Sequence, residues 1–107
     1  MDSESVVFGK WDNHGNKGNL RLSAQNSQKV DEDIQLVFKH GNKHIMDVDD
    51  ISSLKKVIEY TVIREVEGFE LEKAYDAVKL YNKYHRIDMN PEEAIEGWNF
   101  KDKIKNN

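Results

Sequence analysis

Apolar and polar residues alternate along the first half of the chain in the way that β-strands require. Residues 5–11 form a β-branched and aromatic run, and residues 20–24 carry apolar side chains at every second position. The segment between them, residues 12–19, is rich in Asp, Asn and Gly, which are typical of turns. This pattern predicts a hairpin with a long loop, followed by a second loop over the polar residues 25–33.

A second hairpin is predicted around residues 41–42, because Gly-Asn between two apolar runs favours a two-residue turn. That turn pairs Phe38 with Ile45 and Val37 with Met46. One face then carries Ile34, Leu36, Phe38 and Ile45, and the other carries Val37, Met46 and Val48. A sheet with one solvent-facing side alternates more strictly than this. We therefore expect the second face to be covered in part, by a helix or by another chain.

The second half of the chain changes to a helical period. Asp49 or Asp50 is suited to cap a helix that starts near Ile51, since a carboxylate can accept from the first free N–H groups. Glu65 would fall on the apolar face of this helix, so the helix is expected to end before it. Residues 61–67 also contain several β-branched side chains, which leaves a strand open as the alternative there.

Two further helices are predicted by apolar stripes and capping residues. One fits Glu70 to about His85. The other begins with Asn90 as N-cap and Pro91 at the first helical position, and it ends or bends at Gly97. Strands first and helices afterwards is the order of an α+β fold. The sequence thus predicts an N-terminal antiparallel sheet of about four strands, in two hairpins, packed by about three C-terminal helices.

Composition narrows the class of protein. A chain of 107 residues is the length of a single globular domain, which we place at residues 1–107. It has no cysteine, which excludes disulfide scaffolds and thiol chemistry, and it has no apolar run long enough to span a membrane. We expect a soluble cytoplasmic protein that needs no cofactor and does not bind a membrane.

The net charge of −4 is concentrated in one part of the chain. Residues 47–72 carry eight acidic residues against three basic ones, while the flanking parts are nearly balanced. This acidic segment is either a solvated helix junction or an interaction patch, in which an apolar anchor is surrounded by carboxylates that attract a basic partner. The residues of that predicted patch are Glu65, Glu67, Phe69, Glu70 and Glu72.

Two aromatic residues near the C-terminus are further candidates for contact with a partner. Trp98 and Phe100 follow Gly97 and either pack on the core or form an exposed interaction site. The basic residues 101–105 after them are expected to fray.

The main functional prediction is a small non-catalytic accessory protein that binds a larger protein. Its type is that of an inhibitor or regulator, such as those carried by phages and other mobile genetic elements. The sequence supports it mainly because catalytic motifs are absent, the domain is small and both predicted faces of the second hairpin carry apolar residues. Pairing of that hairpin with a second copy would give a homo-oligomer.

A nucleic-acid-binding module is the first alternative. Basic and aromatic residues of the sheet could then contact phosphates and stack on bases; they are Lys10, Trp11, Arg21, Lys39 and Lys43, with Phe8. The same half of the chain carries as many acids as bases, and the whole chain is acidic, so nucleic acid is an unfavoured partner.

A small hydrolase is the second alternative, with His85 as a general acid or base beside a carboxylate. No nucleophile motif accompanies it, and a histidine near a helix C-terminus is ordinary capping chemistry. His40 and His44 resemble a metal pair, but the predicted hairpin places them on opposite faces of the sheet. We therefore predict neither a catalytic nor a metal-binding residue.

Overall fold

A computed structural model of the chain describes residues 4–15, 17–26 and 33–104. It has the predicted α+β order, with four antiparallel strands followed by three helices. The elements are β1 (Ser5–Lys10), β2 (Asn19–Asn26), β3 (Ile34–His40), β4 (Lys43–Asp47), α1 (Ile51–Ile63), α2 (Leu71–His85) and α3 (Pro91–Gly97). No helix within these ranges is long and apolar enough to cross a membrane.

The sheet is a meander in which each strand pairs with the next, in the order β1-β2-β3-β4. Side chains alternate across it, so Leu22 of β2 faces Phe38 of β3 on one side, and Ser23 faces Val37 on the other. All three helices contribute to one hydrophobic core with the Leu22 side, which we call the inner face. The Ser23 side, the outer face, contributes no residue to this core.

The second hairpin contains a β-bulge that the sequence prediction missed. The register shifts after Phe38, which pairs with Met46 and not with Ile45, while Val37 pairs with Asp47. The extra residue moves Met46 to the inner face. The prediction of a second apolar face was therefore wrong, and the predicted homo-oligomer through this hairpin depended on that face.

Helix α1 begins where its capping residues predict. The Asp50 carboxylate accepts from the Ser53 N–H at 2.8 Å, and the Ser53 hydroxyl accepts from the Asp50 N–H at 3.0 Å, which completes a capping box. The helix continues to Ile63 and so ends before Glu65, as its period predicts. For residues 61–67 the sequence left helix and strand as alternatives. The structure contains both, because α1 covers residues 61–63 and Glu67 forms an isolated β-bridge with Lys10.

The two later helices also begin at the predicted residues. Glu70 is the N-cap of α2, and the Asn90 side chain accepts from the Glu93 N–H at the start of α3. The prediction of a fraying end was wrong as far as residue 104, because Ile104 is only 5% exposed and packs in the core. A buried apolar side chain so close to the terminus holds the preceding turn against the domain.

Candidate functional site

The segment between α1 and α2 is fixed to the edge of the sheet by a backbone contact. The Lys10 N–H donates to the Glu67 carbonyl at 3.0 Å, and the Glu67 N–H donates to the Lys10 carbonyl at 3.1 Å. Gly9 lies at this contact with a φ of 150°, and a Cβ on it would overlap the Glu67 carbonyl oxygen. Glycine therefore lets the two backbones approach each other here.

This fixed segment forms one wall of an open groove at the C-terminal end of α1. We call it the α1-end groove; its volume is 310 Å³. It is lined by Thr61, Val62, Ile63, Glu65, Val66, Phe69, Lys103 and Ile104. Four of these side chains are buried and form a floor that is apolar except for the Thr61 hydroxyl, which donates to the Val57 carbonyl; they are Thr61, Val66, Phe69 and Ile104. At the rim, Ile63 is 68% exposed, and it is joined there by the exposed residues Glu65 and Lys103.

The acidic patch predicted from the sequence is rearranged by the structure. Phe69 is only 7% exposed and packs edge-on against Phe8 at 5.5 Å, so it is no exposed anchor but part of the groove floor. Glu65 lies on the rim, and Glu67 is exposed beside the Lys10 contact. Glu70 and Glu72 belong instead to the start of α2, where negative charge is favoured by the helix dipole.

The C-terminal aromatic residues contribute packing and not an exposed site. Phe100 is 3% exposed and belongs to the core, so its role as a partner anchor is corrected. Trp98 is half-buried and packs against the same core, with its ring 6.5 Å from that of Phe100. Neither residue lines the α1-end groove.

A cluster of aromatic rings around Arg64 lies beside the groove and was not predicted from the sequence. The Arg64 guanidinium carbon is 3.3 Å from the Tyr60 ring centroid and 5.1 Å from that of Trp11. Arg64 Nη1 donates to the Tyr60 carbonyl at 3.2 Å, and the Trp11 carbonyl is 2.7 Å from His40 Nε2. These stacked contacts hold the last turn of α1 to the sheet. In the sequence, the four-residue spacing of Tyr60 and Arg64 was the signal that could have predicted their stacking.

The residues of the nucleic-acid alternative are divided between the two faces of the sheet. Arg21 and Lys39 lie opposite each other on the outer face. Trp11 packs against the inner-face core, and Lys43 pairs with the inner-face residue His40. Phe8 is fully buried. Lys10 is exposed and lies 3.5 Å from Asp12 in an ion pair. The structure therefore places Arg21 and Lys39 on the opposite face of the sheet from Trp11 and Phe8.

The histidines considered as catalytic or metal-binding candidates, His85, His40 and His44, each make contacts within the fold. His85 stacks on Tyr81 at 4.0 Å, and within the described ranges it has no hydrogen bond to a carboxylate. Burial, with a smaller contribution from the Asp50 charge, raises the pKa of Tyr81 above its ordinary value. His40 is buried on the inner face, whereas His44 lies on the outer face. Across the parts of the chain that the structure describes, no three His, Asp or Glu side chains are grouped to hold a metal ion.

No protein-family model, curated protein or solved structure matches this chain. Function must therefore be inferred from the molecule's own surfaces. Among these, the α1-end groove has an apolar floor and a strongly exposed apolar side chain at its rim. This combination makes the α1-end groove the candidate site.

Proposed function

We propose that the protein is a binding module that docks on a larger protein through the α1-end groove. The observation that carries this proposal is Ile63, which is 68% exposed at the rim of a groove with an apolar floor. An exposed isoleucine by itself is common on protein surfaces. Its position next to an apolar concavity is what distinguishes it, because a partner side chain can enter the groove while Ile63 packs against the partner.

The charges near the groove favour a partner with a basic surface. Glu65 is on the rim, Glu59 is exposed one helical turn before Ile63, and Glu67 is exposed on the segment that follows. Lys103 is the basic residue of the rim. We infer a partner that presents an apolar side chain flanked by Lys or Arg, since opposite charges speed encounter and fix orientation.

Affinity capture with matched variants tests this proposal. The protein would be used as bait in a lysate of its host, beside Ile63→Glu and the control Ile87→Glu. Ile87 is 42% exposed and does not line the groove, so both variants add the same charge to an exposed isoleucine. Burial of an isoleucine contributes about 1.5–3 kcal/mol, so Ile63→Glu should weaken binding of the purified partner roughly 10- to 100-fold.

Glu65→Lys provides the electrostatic arm of the same test. We expect it to slow association with the partner and to reduce the salt dependence of binding. A partner bound equally by the wild type and by Ile63→Glu would exclude the groove as the docking surface. Absence of any specifically captured protein would count against a binding module altogether.

The other two functions have less support. Nucleic-acid binding by the sheet would use cations without aromatic rings on the same face, and base stacking supplies much of the affinity for single strands. The hydrolase alternative places its reactive group at His85, whose ring is stacked on Tyr81. Neither alternative is favoured by a specific arrangement of side chains.

A further inference from the structure

The outer face of the sheet brings two cations into direct opposition. Arg21 of β2 and Lys39 of β3 are partners in the register, and their side chains project from the same face. Like charges in directly opposed positions destabilise a sheet. Neither residue forms a salt bridge with a carboxylate of the described ranges. This arrangement lowers stability unless an anion neutralises it.

Lys39 lines a groove with a volume of 460 Å³ on the outer face, which we call the outer-face groove. Arg21 is not among its lining residues and lies next to it as the register partner of Lys39. Val37, only 1% exposed, is buried at its floor. The rest of the lining is polar: Gln25, Gln35, Lys39, Asn42, His44 and Asp47. Asp47 is the acid of this lining, and its Oδ1 is 2.7 Å from His44 Nε2. Lys39 and the side-chain amides thus remain as donors.

We propose that the outer-face groove binds a small phosphorylated molecule. Lys39 and Arg21 receive the phosphate group, and the amides of Gln25, Gln35 and Asn42 bond polar groups of the attached body. A phosphate matches two adjacent cations, each of which supplies several donors. The groove has the size of a small-molecule site. A nucleic-acid strand fits less well, because none of the Phe, Tyr and Trp residues that the structure describes lies among the groove's lining residues.

Titration followed by amide NMR shifts tests this site, with inorganic phosphate, ribose 5-phosphate and a thymidine oligonucleotide as probes. The variant Lys39→Gln is compared with Lys55→Gln, which removes the same charge from an exposed position of α1. We expect both small probes to shift residues 21–25, 35–39 and 42–47 saturably. Lys39→Gln should bind them about tenfold more weakly, because a charge-assisted contact is lost, and Lys55→Gln should bind as the wild type does.

A second readout separates binding from folding. Without ligand, Lys39→Gln should melt about 1–5 °C higher than the wild type, because repulsion from Arg21 is relieved. Saturable binding lost only in Lys39→Gln, together with this rise, supports the proposal. It is overturned if no small probe binds at roughly 10 mM, if both variants weaken binding equally, if Lys39→Gln melts lower, or if the oligonucleotide binds more tightly than ribose 5-phosphate.

Discussion

Replacing Gly9 with alanine should detach the wall of the α1-end groove from the sheet. The added Cβ would overlap the Glu67 carbonyl oxygen and lie 2.9 Å from Val66 Cγ1. The backbone of Glu67 cannot move aside without breaking its two hydrogen bonds with Lys10. Because Val66 lines the groove, the substitution should disturb the site as well as the fold.

The expected loss of stability follows from these contacts. Two backbone hydrogen bonds contribute about 1 kcal/mol each, and the positive φ of Gly9 adds about 1–2 kcal/mol of strain for alanine. Gly9→Ala should therefore lower the free energy of unfolding by about 3–4 kcal/mol. This is a large fraction of the stability of a domain this size.

Gly68→Ala is the matched control, since Gly68 also has a positive φ, of 88°, and lies next to Glu67, but a Cβ on it would meet no described atom within 4 Å apart from its chain neighbours. It should lose only the strain, about 1–2 kcal/mol. Urea unfolding of both variants and the wild type measures the difference. Equal losses in the two variants would refute the idea that close approach to Glu67 explains Gly9.

Two further predictions concern α1 and the C-terminal turn. The hydrogen bond from the Ser53 N–H holds the pKa of Asp50 below its ordinary value of 3.8. The ionised carboxylate therefore stabilises the fold above that pH. This contribution to stability is lost as the pH falls through the lower pKa of the folded state. Asn in the variant Asp50→Asn still caps the helix but does not titrate. The melting temperature of this variant should therefore fall less than that of the wild type between about pH 5 and about pH 2. Equal falls would exclude a contribution of the Asp50 carboxylate to the pH dependence. In urea unfolding, Ile104→Ala should lower the free energy of unfolding by about 2 kcal/mol, while the exposed control Ile63→Ala should change it by less than about 0.5 kcal/mol. If Ile104→Ala left stability unchanged, residues 101–104 would not be held to the core.

Local chemistry made the order and the ends of the elements predictable. The caps at Asp50 and Asn90 and the turn at residues 41–42 each depend on neighbours within a few positions. The bulge at Ile45 does not have such a local signal, and one extra residue exchanges the faces of the strand. That single shift removed the apolar surface on which the dimer prediction depended.

The candidate site was only partly predictable for a related reason. The acidic segment of the sequence contains Glu65 and Phe69, which both line the α1-end groove. Whether Phe69 projects outward or forms the floor depends on the contact between Lys10 and Glu67, which are distant in the chain. The burial of Ile104 is likewise set by tertiary packing, and the basic residues around it gave no sign of it.

Hydrogen exchange on the complex with the captured partner tests the central claim most directly. A docked partner slows exchange where it covers the backbone and leaves other regions unchanged. We predict slower exchange in residues 61–66 and 101–104 of the bound protein, with strands β2 and β3 unaffected. Protection confined to the sheet, with unchanged exchange at the end of α1, would contradict the assignment of the α1-end groove as the docking surface.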